Sequence, residues 1–145
     1  MFDRCSNLES VNIPEGVKTI GDNAFQNNMR LLDVVFPEGL ESIGENAFSS
    51  CYTMENINLP ETVKTIGEGA FDGCGVVVMS LPGSITTIPR NAFSYMVYLE
   101  ELTIGEGTKT IDQMAFINCE SLTKLTLPST LESIGYAAFA YNMLT

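Results

Sequence analysis

Residues 12–25 read NIPEGVKTIGDNAF, residues 36–48 read FPEGLESIGENAF, and residues 59–71 read LPETVKTIGEGAF. A chain that restates one phrase at a fixed interval builds one structural unit many times. With the closing phenylalanine as a ruler, the anchors are Phe2, Phe25, Phe48, Phe71, Phe93, Phe116 and Phe139. The steps between them are 23, 23, 23, 22, 23 and 23 residues. Six units are nearly complete and a seventh is begun. The unit from Phe71 is one residue short, between Cys74 and Leu81. That deletion predicts a small local kink, with the rest of the repeat in step.

Each unit has the same internal logic. In LTKLTLP, Leu122, Leu125 and Leu127 end in the two-residue alternation of a strand with one buried face. Pro128 then stops the strand because it has no N–H for a ladder, and Pro14, Pro37, Pro60 and Pro82 do the same. Gly105 takes that corner in the fifth unit. The next apolar pair, such as Val63 and Ile66, turns inward on the opposite side of the coil. GDNAF and GENAF read as a tight turn into about one helical or 3₁₀ turn. Ala24, Ala47, Ala70, Ala92, Ala115 and Ala138 hold one slot throughout, which implies close backbone approach. One unit is too small to bury its own apolar face. Stacked units do so, with each strand pairing in parallel with the next at about 4.8 Å. The crossover rule makes the coil right-handed.

The pattern L-x-x-I-x-L-P … V-x-x-I-G-x-x-A-F-x-x-C resembles the leucine-rich repeats, specifically the 23-residue BspA-like subfamily of bacterial and protist surface proteins. The resemblance spans residues 1–145 as a single repeat domain. It implies a right-handed β/α superhelix, with a parallel sheet on the concave face and short helical or 3₁₀ turns on the convex side. The departures are Pro89 and Asp112 at the glycine slot, Met96 at the Cys/Asn slot, and Gly105 at the proline slot.

Composition narrows the chemistry. A net charge of −11 repels phosphate backbones, so neither nucleic acid nor an anionic membrane surface is an expected partner. No apolar run approaches the roughly 20 residues of a membrane span. Histidine is absent, which removes the commonest general base and the commonest metal ligand together. No nucleophile motif, phosphate loop or cofactor fingerprint is present, so no enzyme, catalytic residue, cofactor or metal is expected. The acids Glu15, Glu38, Glu61 and Glu106 recur after the corner without a calcium-loop pattern, and Lys18, Lys64 and Lys109 stand three places along to offset them. Cys5, Cys51, Cys74 and Cys119 share one slot with Asn28, Met96 and Asn142. They are read as four buried free thiols whose slot serves nearby backbone carbonyls. Only Cys51 and Cys74 lie close enough for a bridge.

Repeat architectures bind through their strand face. Its outward positions form two columns. One contains Ser10, Asp33, Asn56, Val78, Glu101 and Lys124; the other contains Asn12, Val35, Asn58, Ser80, Thr103 and Thr126. A small apolar spot is expected from Val35, Val77 and Val78, while Tyr52, Tyr95 and Tyr98, after the Phe anchor on the route back toward the strand, read as scattered surface residues, with an aromatic flank as the alternative. A further column of hydroxyls, Thr19, Ser42, Thr65, Thr87, Thr110 and Ser133, either bonds rung to rung or faces water. The resemblance implies a protein-binding or adhesion module, at the cell surface or secreted, contacting a host, matrix or neighbouring-cell protein. The unpaired cysteines favour an alternative, an intracellular cytoplasmic scaffold. The opening MFDRCSNLES lacks the basic start and apolar stretch of a secretory signal. With no polar capping repeat at either end, the chain reads as part of a longer array, with end-to-end association between copies expected.

Overall fold

The computed structural model describes Cys5 and residues 7–144; the first anchor, Phe2, lies outside the described residues. The chain winds as a solenoid of parallel strands. One line of strands consists of β1 (Ser10–Asn12) paired with β3 (Asp33–Val35), and of β6 (Val78–Leu81), β8 (Glu101–Ile104) and β10 (Lys124–Thr126) paired in that order. The second line joins β2 (Thr19–Ile20), β4 (Ser42–Ile43) and β5 (Thr65–Ile66), then β7 (Thr87–Ile88), β9 (Thr110–Ile111) and β11 (Ser133–Ile134). Every pairing is parallel and the register is the repeat itself, with Val11 opposite Val34 and Met79 opposite Leu102.

The phenylalanine column fills the core. Phe25, Phe48, Phe71, Phe93, Phe116 and Phe139 stack face to face, with centroids 5.1–5.4 Å apart and planes within 7° of parallel. Phe36 closes on Phe48 edge-on at 5.6 Å. Six identical slots at one rung spacing force this offset stacking, a favoured aromatic geometry.

The turns around Ala-Phe differ from the expected helical turn: among the described residues there are no helices. Each turn has two left-handed residues four apart, Asn23 and Asn27, Asn46 and Ser50, Gly69 and Gly73, and so on to Ala137 and Tyr141. A helix cannot run through positive φ, and Asn and Gly tolerate it best. The N–H groups of Asn23, Phe25 and Asn27 donate instead to the carbonyls of Glu45, Ala47 and Ser49 on the next coil, at 2.7–2.8 Å. This backbone-to-backbone contact explains the alanine slot, since Ala47, Ala70, Ala92 and Ala115 have no exposed surface.

The one-residue deletion does more than kink the chain. Asn56–Asn58 forms no strand, and among the described residues no backbone hydrogen bond joins residues 56–59 to residues 33–36 on one side or to residues 76–81, across the deletion, on the other. The second line breaks at the same level, between β5 and β7. There Pro89 has no N–H to give, whereas Gly44, Gly67, Asp112 and Gly135 each donate to an isoleucine carbonyl of the preceding coil at 2.7–2.9 Å. The turns remain bonded across this seam, through Phe71 N–H to the Ala92 carbonyl (2.8 Å) and Gly73 N–H to the Ser94 carbonyl (2.8 Å). The remaining coils stay in step, as β6, β8 and β10 show. Gly105 has the opposite effect to Pro89. Its N–H donates to the Leu81 carbonyl at 2.9 Å, which proline at that slot cannot do.

Candidate functional site

Backbone register brings the two outward columns of the strand face together. Ser10 pairs with Asp33, Val78 with Glu101 and Glu101 with Lys124; Asn12 pairs with Val35, Ser80 with Thr103 and Thr103 with Thr126. Asn56 and Asn58 are exposed around buried Ile57, so their alternation survives where the ladder does not. All these positions face water except Glu101, which is half-buried. Val35 and Val78 are exposed but separated by the Asn56–Asn58 level, so they form no single apolar spot. Lys124 Nζ lies 2.5 Å from Glu101 Oε1. That contact raises the lysine pKa, through its hydrogen bond and the carboxylate charge.

Flanking side chains are tied coil to coil. Lys18 pairs with Glu41 at 3.0 Å and Lys109 with Glu132 at 2.9 Å, so the lysines neutralise a different acidic column from the one expected. Glu106 instead accepts from the Ser129 N–H and hydroxyl, which holds its carboxyl below the usual range. The hydroxyl column does bond between coils, from Ser42 to Thr19 at 3.0 Å and from Ser133 to Thr110 at 3.3 Å. Sequence reasoning missed a second set. Thr62 donates to the Glu38 and Leu40 carbonyls, Ser84 to that of Val63 and Thr130 to that of Thr108. Their shared place, two residues past the corner proline, was the available signal.

The cysteine slot divides. Cys51 donates to the Phe25 carbonyl at 3.3 Å, Cys74 to Phe48 at 3.4 Å and Cys119 to Phe93 at 3.4 Å, while Asn28 Nδ2 reaches the Phe25 carbonyl at 2.7 Å. Burial pushes Cys51 up to about 11 and Cys119 up to about 12, and raises Cys74 well above its ordinary value. These three are buried and unbridged, but Cys5 is exposed, which corrects the expectation of four buried thiols. A native thiol titration should therefore show one fast-reacting group and three that react only after unfolding. Four fast thiols would contradict the packing. Among the described residues, no three His, Cys, Asp or Glu side chains gather as a metal site, and no helix is long and apolar enough to cross a membrane.

Tyr52, Tyr95 and Tyr98 are not scattered. They line one cleft of about 630 Å³ with Asp72, Gly73 and Val97.

Stacked parallel coils, a continuous column of stacked phenylalanines and a mostly polar strand face define a leucine-rich-repeat solenoid. The chain belongs to the BspA type leucine rich repeat region family, whose profile matches in six copies over residues 1–55 and 18–145. A leucine rich repeat protein of T. pallidum, known from its crystal structure, is 31% identical, with a TM-score of 0.93 over 99% of this chain and 68% of its own. A leucine-rich repeat protein of Bacteroides ovatus is 26% identical, with a TM-score of 0.73 over 97% of this chain and 43% of its own. A leucine rich cell surface protein of Faecalibacterium prausnitzii shares the fold at 22% identity, with a TM-score of 0.57 over 97% of this chain and 47% of its own. The chain thus spans less than half of the last two. Among curated proteins, none matches it.

Proposed function

We propose that this chain is a non-catalytic protein-binding module of a cell-surface protein, engaging a host, matrix or neighbouring-cell protein through its concave strand face. The single observation behind this reading is the strand face itself: two in-register columns of short, mostly polar, water-facing side chains on a rigid frame. Such a surface suits an extended protein contact and supplies no converging acid, base or nucleophile. The surface setting rests on family kinship. The intracellular alternative keeps one support in the three buried thiols, which are at home in a reducing compartment. End-to-end association between copies is proposed as well, since each coil presents its apolar side to the next.

The Glu101–Lys124 ion pair shapes the test. A single charge reversal breaks an internal pair as well as any partner contact, but the double swap Glu101→Lys with Lys124→Glu retains the pair. Pull-downs against host-surface and matrix proteins should recover a partner. The single reversals and the swap should each weaken it by about tenfold, in the range of a contacted charge. Unchanged capture by all three variants would move the interface off this face.

A further inference from the structure

The chain is pared down where the repeat is one residue short. In the segments that follow Phe48, Phe71 and Phe93, equivalent places hold Tyr52, Gly75 and Val97, and two places earlier Ser50, Gly73 and Tyr95. The middle segment therefore offers main chain where its neighbours offer side chains. Tyr52 leans over it, so that a Cβ on Gly73 would stand 3.1 Å from the ring. Tyr95 and Tyr98 line the other side. Tyr52 comes from the level before the bare segment and Tyr95 from the level after it, and both line the same cleft.

The notch is acidic as well as aromatic. Asp72 lies in its lining and in that of an adjoining depression shared with Tyr95, which also contains Glu45 and Glu68. No lysine or arginine lines either one among the described residues. Asp72 accepts the Ser94 hydroxyl and has no basic neighbour, and its partial burial raises its pKa. A cation arriving there would reverse that shift.

We propose that this notch is a docking site for an arginine side chain on an extended segment of a partner protein. A guanidinium is flat, stacks on tyrosine faces and gives paired hydrogen bonds to a carboxylate, which matches the rings and Asp72 together. Lysine has the charge without the plane. The net charge of −11 favours a basic segment and repels nucleic acid. This site lies on a different flank from the strand face and stands independently of it.

The experiment titrates the folded chain with three blocked peptides, Gly-Arg-Gly, Gly-Lys-Gly and Gly-citrulline-Gly, and with maltotriose, following amide and tyrosine-ring resonances by NMR. The arginine peptide should shift signals concentrated at Tyr52, Gly73, Cys74, Tyr95 and Tyr98, at least fivefold more tightly than either other peptide. Tyr52→Ala and Tyr95→Ala should each lower its affinity at least fivefold, and Asp72→Asn about tenfold. Both tyrosines are more than half exposed, so these variants keep the fold, and a thermal melt verifies it. The Glu101/Lys124 swap should leave the titration unchanged, which separates this site from the strand face. Shifts spread over the acidic surface, equal binding of citrulline, unaltered affinity in both tyrosine variants, or a response to maltotriose alone would each overturn the proposal.

Discussion

Phe71→Ala should destabilise the protein by about 4 kcal/mol, the usual scale for deleting a fully buried ring. Phe71 has no exposed surface and stacks on Phe48 at 5.3 Å and Phe93 at 5.4 Å. A loss of that size is a large fraction of the roughly 5–15 kcal/mol that holds a typical domain together, and it should lower Tm by about 10 °C. Its position adds a second effect. Across the seam the strands contribute no ladder bonds, so the ring stack, the turn hydrogen bonds and Ser84 carry the connection. Repeat arrays are held together by nearest-neighbour interfaces, and weakening one interface divides the array. Calorimetry should therefore show the single transition broaden or split, and hydrogen exchange should quicken first beside Asn56–Asn58 and Val76–Val78. A sharp two-state melt within about 1 kcal/mol of the parent would show that the seam is not the weak interface.

Gly67→Ala should cost about 2–3 kcal/mol, while Gly39→Ala, in the exposed turn after Pro37, should stay within about 0.5 kcal/mol. The Gly67 backbone is not in the left-handed region, so the difference is one of space. A Cβ there would lie 2.4 Å from the Glu45 nitrogen and 2.5 Å from the Gly44 carbonyl carbon, atoms that cannot swing aside. The Gly67 N–H bond to Ile43 at 2.8 Å fixes that approach. At Gly39, which is not in the left-handed region either, no atom of the described residues outside its chain neighbours comes within 4 Å of the added carbon. Urea unfolding of both variants measures the contrast. Equal stability of the pair would mean that the coils separate more easily than their hydrogen bonds imply.

Legibility followed the range of the interaction. The Phe71 ring and the Ala70 slot were readable because they depend on contacts repeated at every level, so a fixed spacing betrays them. The left-handed pair around each Ala-Phe was written in Asn23 and Asn27, yet Met114, Ala137 and Tyr95 obscure it, and the short apolar phrase resembles a helical turn. Lys18 offered the same ambiguity. It stands three residues from Glu15 in the chain, but coil stacking presents Glu41 at 3.0 Å.

The candidate sites divide in a similar way. Outward alternation in the sequence places Asp33, Glu101 and Lys124 on one face, since strand period fixes which side a residue takes. The place of Tyr52, Tyr95 and Tyr98 after the anchor allowed an aromatic flank, but Tyr52 and Tyr95 are 43 residues apart and meet only across a level stripped by Gly73 and Gly75, so the notch itself was not legible.

The sequence by itself determined the repeat, the stacking order and the inward column of rings, because a 23-residue unit cannot bury its apolar side alone and must lend it to an identical neighbour. Only the tertiary structure decided where that stacking is weak and where it is open. One missing residue and the absent N–H of Pro89 act on bonds between coils, and a bond between coils has no signature within either one.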